Sequence, residues 1–252
     1  MNDQKRIFMA FSFLAIMILV ASFFIHPVLN FINTAHLTIP ELMFSVLIFI
    51  GILLITPIHE LFHWFGAKIV GVKNKAFGIS PLIFFVNPII KEDMPYYKIK
   101  KFYILLSGAT YSILSAIIVF GISILYFPFS ITQILYPLII GAILINIFNL
   151  VPLFGNSDGD VILRDLVLHK DTTKINVAFI FIIPLIMTYF EFTTPIMSLN
   201  IIIYNYIEMV VMFSLMFFLM KKVKFKKLDE IVNSSPKGRY FIKNYLMMFW
   251  VF

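Results

Sequence analysis

The residues of this chain best suited to chemistry are His59, Glu60 and His63, in the run His59-Glu60-Leu61-Phe62-His63. On a helix, positions i and i+4 lie about 40° apart around the axis, so the two imidazoles share one face. A pair of imidazoles at that spacing is a chelate for a divalent cation. A carboxylate directly after the first His is placed to act as general base on a water that the cation activates. With only five His in 252 residues, shuffling the composition would give this pattern in roughly a few chains per thousand.

The pattern lies late in a long apolar stretch, Leu42 to Val70, which reads as a membrane-spanning helix. Asp, Glu and His are expensive inside a bilayer and usually mark a function there. The structural alternative is a polar cluster satisfied by neighbouring helices. Two imidazoles also fall short of a complete catalytic site, because zinc in such sites takes about three protein ligands and one water. A carboxylate is available in Asn149-Leu-Val-Pro152-Leu-Phe-Gly-Asn-Ser-Asp158-Gly159-Asp160, at the end of a later apolar run. Asn149 and Pro152 can break the helix there. His59 and His63 lie about 8 to 14 Å of helix rise before Lys68, a depth compatible with Asp158 at the membrane edge. Asp158-Gly159 can equally be a turn with a helix N-cap.

The elements that must position these residues follow from composition. The chain is 61% hydrophobic and 13% charged, which excludes an ordinary soluble domain. About six runs are long enough to cross a hydrocarbon core of roughly 30 Å. They fall near 7–30, 42–67, 103–127, 132–152, 175–193 and 197–220. The first is too long for a signal-peptide core and has no small-residue cleavage site, so it reads as a retained anchor. There are no cysteines, so zinc would be held by His and carboxylate.

The net charge of +7 is a topology signal. With a cytoplasmic N-terminus and six spans, all twenty Lys and Arg fall on the cytoplasmic side. The opposite loops, near 31–41, 128–131 and 194–196, contain none. Anionic lipid, and no nucleic acid, is the expected partner of that charge. Both termini are expected in the cytoplasm.

The expected fold is therefore all-α and polytopic, a single transmembrane domain over 1–252 with a tail at 221–252. Residues 71–101 are expected to form a short membrane-associated β-hairpin or loop on the cytoplasmic side, since Gly and Pro interrupt β-forming residues there. Residues 157–170 are expected as a short interfacial helix, and Phe241–Phe252 as interfacial packing. Glu208, in the middle of the last run, is expected to make a structural hydrogen bond, the alternative being a role in gating or substrate entry. His26, His36 and His169 fit no site.

H-E-x-x-H late in one span, with N-x-x-P and then Asp-Gly at the end of a later one, resembles the site-2 protease superfamily of intramembrane zinc metalloproteases. The stretch Leu106-Ser107-Gly108-Ala109-Thr110-Tyr111 looks like the small-residue segment of that family. The resemblance covers about residues 42–160, a core of three helices. It implies Zn2+ bound by His59, His63 and Asp158, with Glu60 as catalytic base and Asn149 contacting substrate. Asp160 is the alternative ligand. The implied activity is endopeptidase cleavage of a membrane protein or membrane-embedded peptide, the substrate being unwound before it is cut. The competing reading is a non-catalytic zinc-binding membrane protein, chaperone-like, that keeps the fold. Heavy use of Ile, Phe, Lys and Asn suggests a bacterial cell membrane.

Overall fold

The computed structural model describes residues 2–35, 37–79, 84–89, 92–152, 157–192 and 199–222. His36 and the tail beyond Lys222, including Phe241–Phe252, lie outside them. The described residues form two compact units, one running to Ile147 and one starting at Phe148. Each is described by itself.

Helices dominate the first unit. α1 (Asp3–Thr34) starts where the Asn2 side chain accepts the Lys5 N–H at 3.0 Å, with Asp3 in the first turn facing the positive end of the helix dipole. α2 (Glu41–Ile69) carries the His-Glu-His run. It ends at Gly71, whose φ of +76° is natural only for glycine. There the Val72 N–H reaches the Ala67 carbonyl at 2.8 Å and the Gly71 N–H reaches Lys68 at 3.2 Å, the paired bonds of a Schellman cap. This fixes the end of α2 two turns past His63.

Two short strands follow in the stretch expected as a hairpin or loop. β1 (Lys73–Ile79) and β2 (Phe84–Ile89) pair antiparallel, with an irregularity between Asn74 and Ala76. α3 (Tyr97–Tyr126) follows and packs against both α1 and α2. α4 (Phe129–Leu150) completes the unit, its last turn belonging to the second. α1 to α4 are each long and apolar enough to cross a membrane.

Small residues bring these helices together. A Cβ at Gly51 would strike the Leu138 backbone, and one at Gly141 the Ile48 backbone, so α2 and α4 meet main chain to main chain. This is the packing expected where lipid removes the hydrophobic advantage of larger side chains. Polar contacts then set register. The Tyr103 hydroxyl donates to the Ala10 carbonyl at 3.1 Å and pairs with Tyr111. Lys100, almost wholly buried, reaches Asp3 at 3.0 Å.

In the second unit, α5 (Asp158–Val161) runs into a wide π-type turn, Ile162–Leu168. α6 (Thr173–Phe192) and α7 (Leu199–Lys222) follow, packing through Ile180 and Phe213 with Phe148, Val151 and Ile183 around them. Their apolar segments within the described residues, Thr173–Ile186 and Ile203–Leu215, are shorter than those of α1 to α4. The structural hydrogen bond expected of Glu208 is not made with any described residue. The side chain is instead exposed on α7, on a face it shares with exposed Tyr204, Ile207 and Val211.

Candidate functional site

His59 and His63 are both buried, on the face of α2 that α3 and α4 cover. His63 Nδ1 lies 2.7 Å from the Ile104 carbonyl of α3. A carbonyl only accepts, so Nδ1 carries the proton and donates. His59 Nδ1 lies 2.7 Å from Asn146 Oδ1 of α4. The Asn146 amide nitrogen donates to the Ala142 carbonyl at 2.7 Å, which fixes the amide with its oxygen towards the ring. His59 Nδ1 is therefore also a donor.

This assignment has one consequence for the other two nitrogens. Each Nε2 carries a lone pair when its ring is neutral, and the two Nε2 atoms stand 2.9 Å apart. The rings are nearly perpendicular, at 88°. Two lone pairs facing each other in a low-dielectric interior repel, and a cation between them relieves the repulsion. A shared proton can do this, and so can a metal ion. Ligating His residues characteristically donate the far ring nitrogen to a carbonyl or a side-chain oxygen, as both do here. Glu60 is half-buried beside them. One ligand atom from each of His59, Glu60 and His63 can be chosen so that all lie within 4.8 Å of one another.

Gly108 explains how α3 approaches so closely. A methyl group there would land on the His63 and His59 rings. Within the stretch 106–111, Gly108 is thus the point of α3 against which both imidazoles lie. Ser107, beside it, donates to the carbonyls of Ile104 and Phe62, at 2.7 and 3.1 Å.

Asn149, Asp158 and Asp160 belong to the second unit. Asn149 grips Asp158 at two points. Its amide nitrogen donates to Asp158 Oδ2 at 2.7 Å, and its oxygen accepts the Asp158 N–H at 3.2 Å. The cap of α5 is Ser157, whose hydroxyl oxygen accepts the Asp160 N–H at 3.2 Å. That role, which the sequence left open to Asp158, is filled by its neighbour. Glycine is needed at 159 because a Cβ would collide with the Leu150 carbonyl. Asp160 is 1% exposed and engaged on both oxygens. Oδ1 accepts from the Thr172 hydroxyl and from Asn176 Nδ2, the latter at 3.2 Å. Oδ2 pairs with Arg164 at 3.3 Å.

Among the described residues, His59, Glu60 and His63 are the group able to hold a metal ion. His169 is exposed, in the left-handed conformation at φ 53°. Sequence reasoning missed Asn146, although an amide in an otherwise apolar span carried the same signal of cost as the imidazoles. It also missed the Ile104 carbonyl, which no side-chain pattern encodes. No family model, curated protein or solved structure matches the chain.

Proposed function

We propose that this chain is a zinc-dependent endopeptidase of the site-2 protease kind, cleaving a membrane protein or membrane-embedded peptide within or near the bilayer. The observation that carries the reading is the orientation of the imidazoles. Both Nδ1 atoms donate to fixed oxygens and the two Nε2 atoms converge, with a Glu60 carboxylate oxygen within 4.8 Å of a ring nitrogen of each imidazole. Imidazole nitrogens with carboxylate and no thiolate suit zinc. His59 and His63 would hold the ion there, and zinc so bound would supply Lewis acidity to a peptide carbonyl and to water.

The chain's own residues do the rest. Asn146 and Ile104 hold the rings in the ligating tautomer. Glu60 takes a proton from the attacking water and passes it to the leaving amine. For the third ligand we favour Asp158 over Asp160, because three donors already converge on the Asp160 carboxylate inside its own unit. Asn149, expected to contact substrate, orients Asp158 through both ends of its amide. The hairpin β1–β2 offers strand edges to an extended peptide by β-augmentation. In this reading α6 and α7 complete six spans, and both termini are cytoplasmic, as the charge distribution favours. The competing non-catalytic reading keeps the metal and gives Glu60 no role.

Elemental mass spectrometry on detergent-purified protein tests the site. Wild type is expected to hold one zinc per chain, lost in His63→Ala and Asp158→Ala. Zinc retained in Asp158→Ala but lost in Asp160→Ala would reverse the choice of carboxylate. No zinc in folded wild type after supplementation would remove the metal reading altogether.

A further inference from the structure

Along one face of α3, Gly108, Ser112 and Ala116 follow one another at four-residue spacing. Gly108 lies against the His59 and His63 rings. Ala116, two turns on, shares a packing cluster with Ile55 of α2 and Ala142 of α4. Ile55 is one turn before His59, and Ala142 one turn before Asn146. Ser112 is therefore at the level between the imidazole pair and that apolar floor. It is 0% exposed, and its hydroxyl has no hydrogen-bond partner among the described residues.

The other buried Ser and Thr hydroxyls within the described helices behave differently. Ser107 and Ser123 donate to the carbonyl three residues back, and Thr132 and Thr188 to the one four back. This local bond is always within reach of a helical serine, and a buried hydroxyl without it costs free energy. Ser112 forgoes it. If only a small packing side chain were needed, alanine would serve better.

We infer that Ser112 is part of the site, its hydroxyl held to hydrogen-bond an oxygen that arrives beside the imidazoles. That oxygen belongs either to the carbonyl of a bound peptide or to a water resident beneath the His pair. The inference rests on the hydrolytic reading above and adds a residue to it.

The experiment compares wild type, Ser112→Ala and Ser112→Cys with Ser123→Ala, a matched control whose buried hydroxyl is satisfied by Phe120. Zinc content, melting temperature and cleavage of a fluorogenic apolar peptide are measured on the full chain. If the partner is the peptide, Ser112→Ala keeps its zinc and melts at the same temperature or about 2–4 °C higher. Its cleavage falls at least about tenfold, as for loss of one preorganised donor. If the partner is a resident water, cleavage falls similarly but melting drops by about the same few degrees. Ser112→Cys, with a weaker donor, is intermediate in both cases, and Ser123→Ala cleaves normally. Cleavage by Ser112→Ala within twofold of wild type overturns the inference. Should wild type cleave nothing, the hydrolytic reading fails separately, and a short peptide hydroxamate becomes the probe. A melting shift with that probe, reduced in Ser112→Ala, keeps Ser112 in the site; an equal shift, or none in wild type, overturns it.

Discussion

The imidazole pair and the acidic turn solve the same problem, holding a polar group still in an apolar protein, by different means. His59 and His63 are held from outside their own helix, by an α3 carbonyl and an α4 amide. Asp158 is held from within its own stretch of chain, by Asn149 nine residues earlier, between the Ser157 cap and Gly159. The difference follows from the groups. An imidazole presents one nitrogen only if something else takes the proton on the other, so it needs a partner across a helix interface. A carboxylate has no tautomer to fix, and local hydrogen bonds suffice to aim it. The histidine region therefore depends on helix packing, and the aspartate region on local hydrogen bonds.

Substitutions at the two regions should separate along that line. The largest effect belongs to Glu60→Gln, which keeps the side chain's size and removes its basicity. Zinc content should stay at the wild-type level while cleavage falls by about 10²- to 10⁴-fold, the usual worth of a general base. A peptidase assay beside metal analysis checks it, and undiminished cleavage would end the catalytic assignment of Glu60. Next comes Asp160→Ala, which leaves Arg164, Thr172 and Asn176 facing a lost carboxylate. Breaking a buried pair costs about 3–5 kcal/mol, but Arg164 is about one-third exposed, so about 2 kcal/mol is expected. Denaturation in detergent should show this, with zinc still bound to the protein that remains folded.

Asn146→Ala sharpens the comparison from the other side. His59 loses the acceptor of its Nδ1 proton and with it the tautomer that presents Nε2. Zinc affinity should weaken by about 10- to 100-fold, the range for losing such an outer partner. Competition against a chelator measures it. Asn149→Ala, which loosens Asp158, should also weaken zinc binding but leave the imidazole tautomers unchanged by NMR. Equal NMR changes in both variants would contradict the idea of separate supports.

The two supports were unequally legible. His59, Glu60 and His63 could be read from sequence because i,i+4 spacing on a helix is a local rule and polar residues stand out in a 61% hydrophobic chain. For the same reason the ends of α1 to α4 fall within a few residues of the apolar runs, apart from α3. It begins at Tyr97, several residues ahead of the run read from 103. Lys98, Lys100 and Lys101 masked that first turn, although Lys100 is buried against Asp3. The hairpin was legible from its Gly and Pro punctuation. What could not be read was which partner each polar group takes. Asn146 and Asn149 are three residues apart in one helix, yet one serves His59 and the other Asp158. Glu208 shows the opposite failure, because the expected internal partner depends on helix rotation, which an apolar run does not encode.

The smallest effect is expected at Ser157, and its size discriminates most finely. Its hydroxyl accepts the Asp160 N–H and donates to the Val151 carbonyl, so it joins the cap of α5 to the end of α4. Ser157→Ala removes the cap bond and the bond to Val151, together worth about 1–2 kcal/mol. If the aspartate turn is held by many small local bonds, that loss should lower stability by about this amount and zinc affinity by less than about fivefold. Asn149 would still grip Asp158 at both points. Calorimetry with a chelator titration gives both numbers. A loss of zinc as large as that of Asn146→Ala would mean that the turn hangs on this single hydroxyl. The contrast between a site held from outside and one held from within would then not stand.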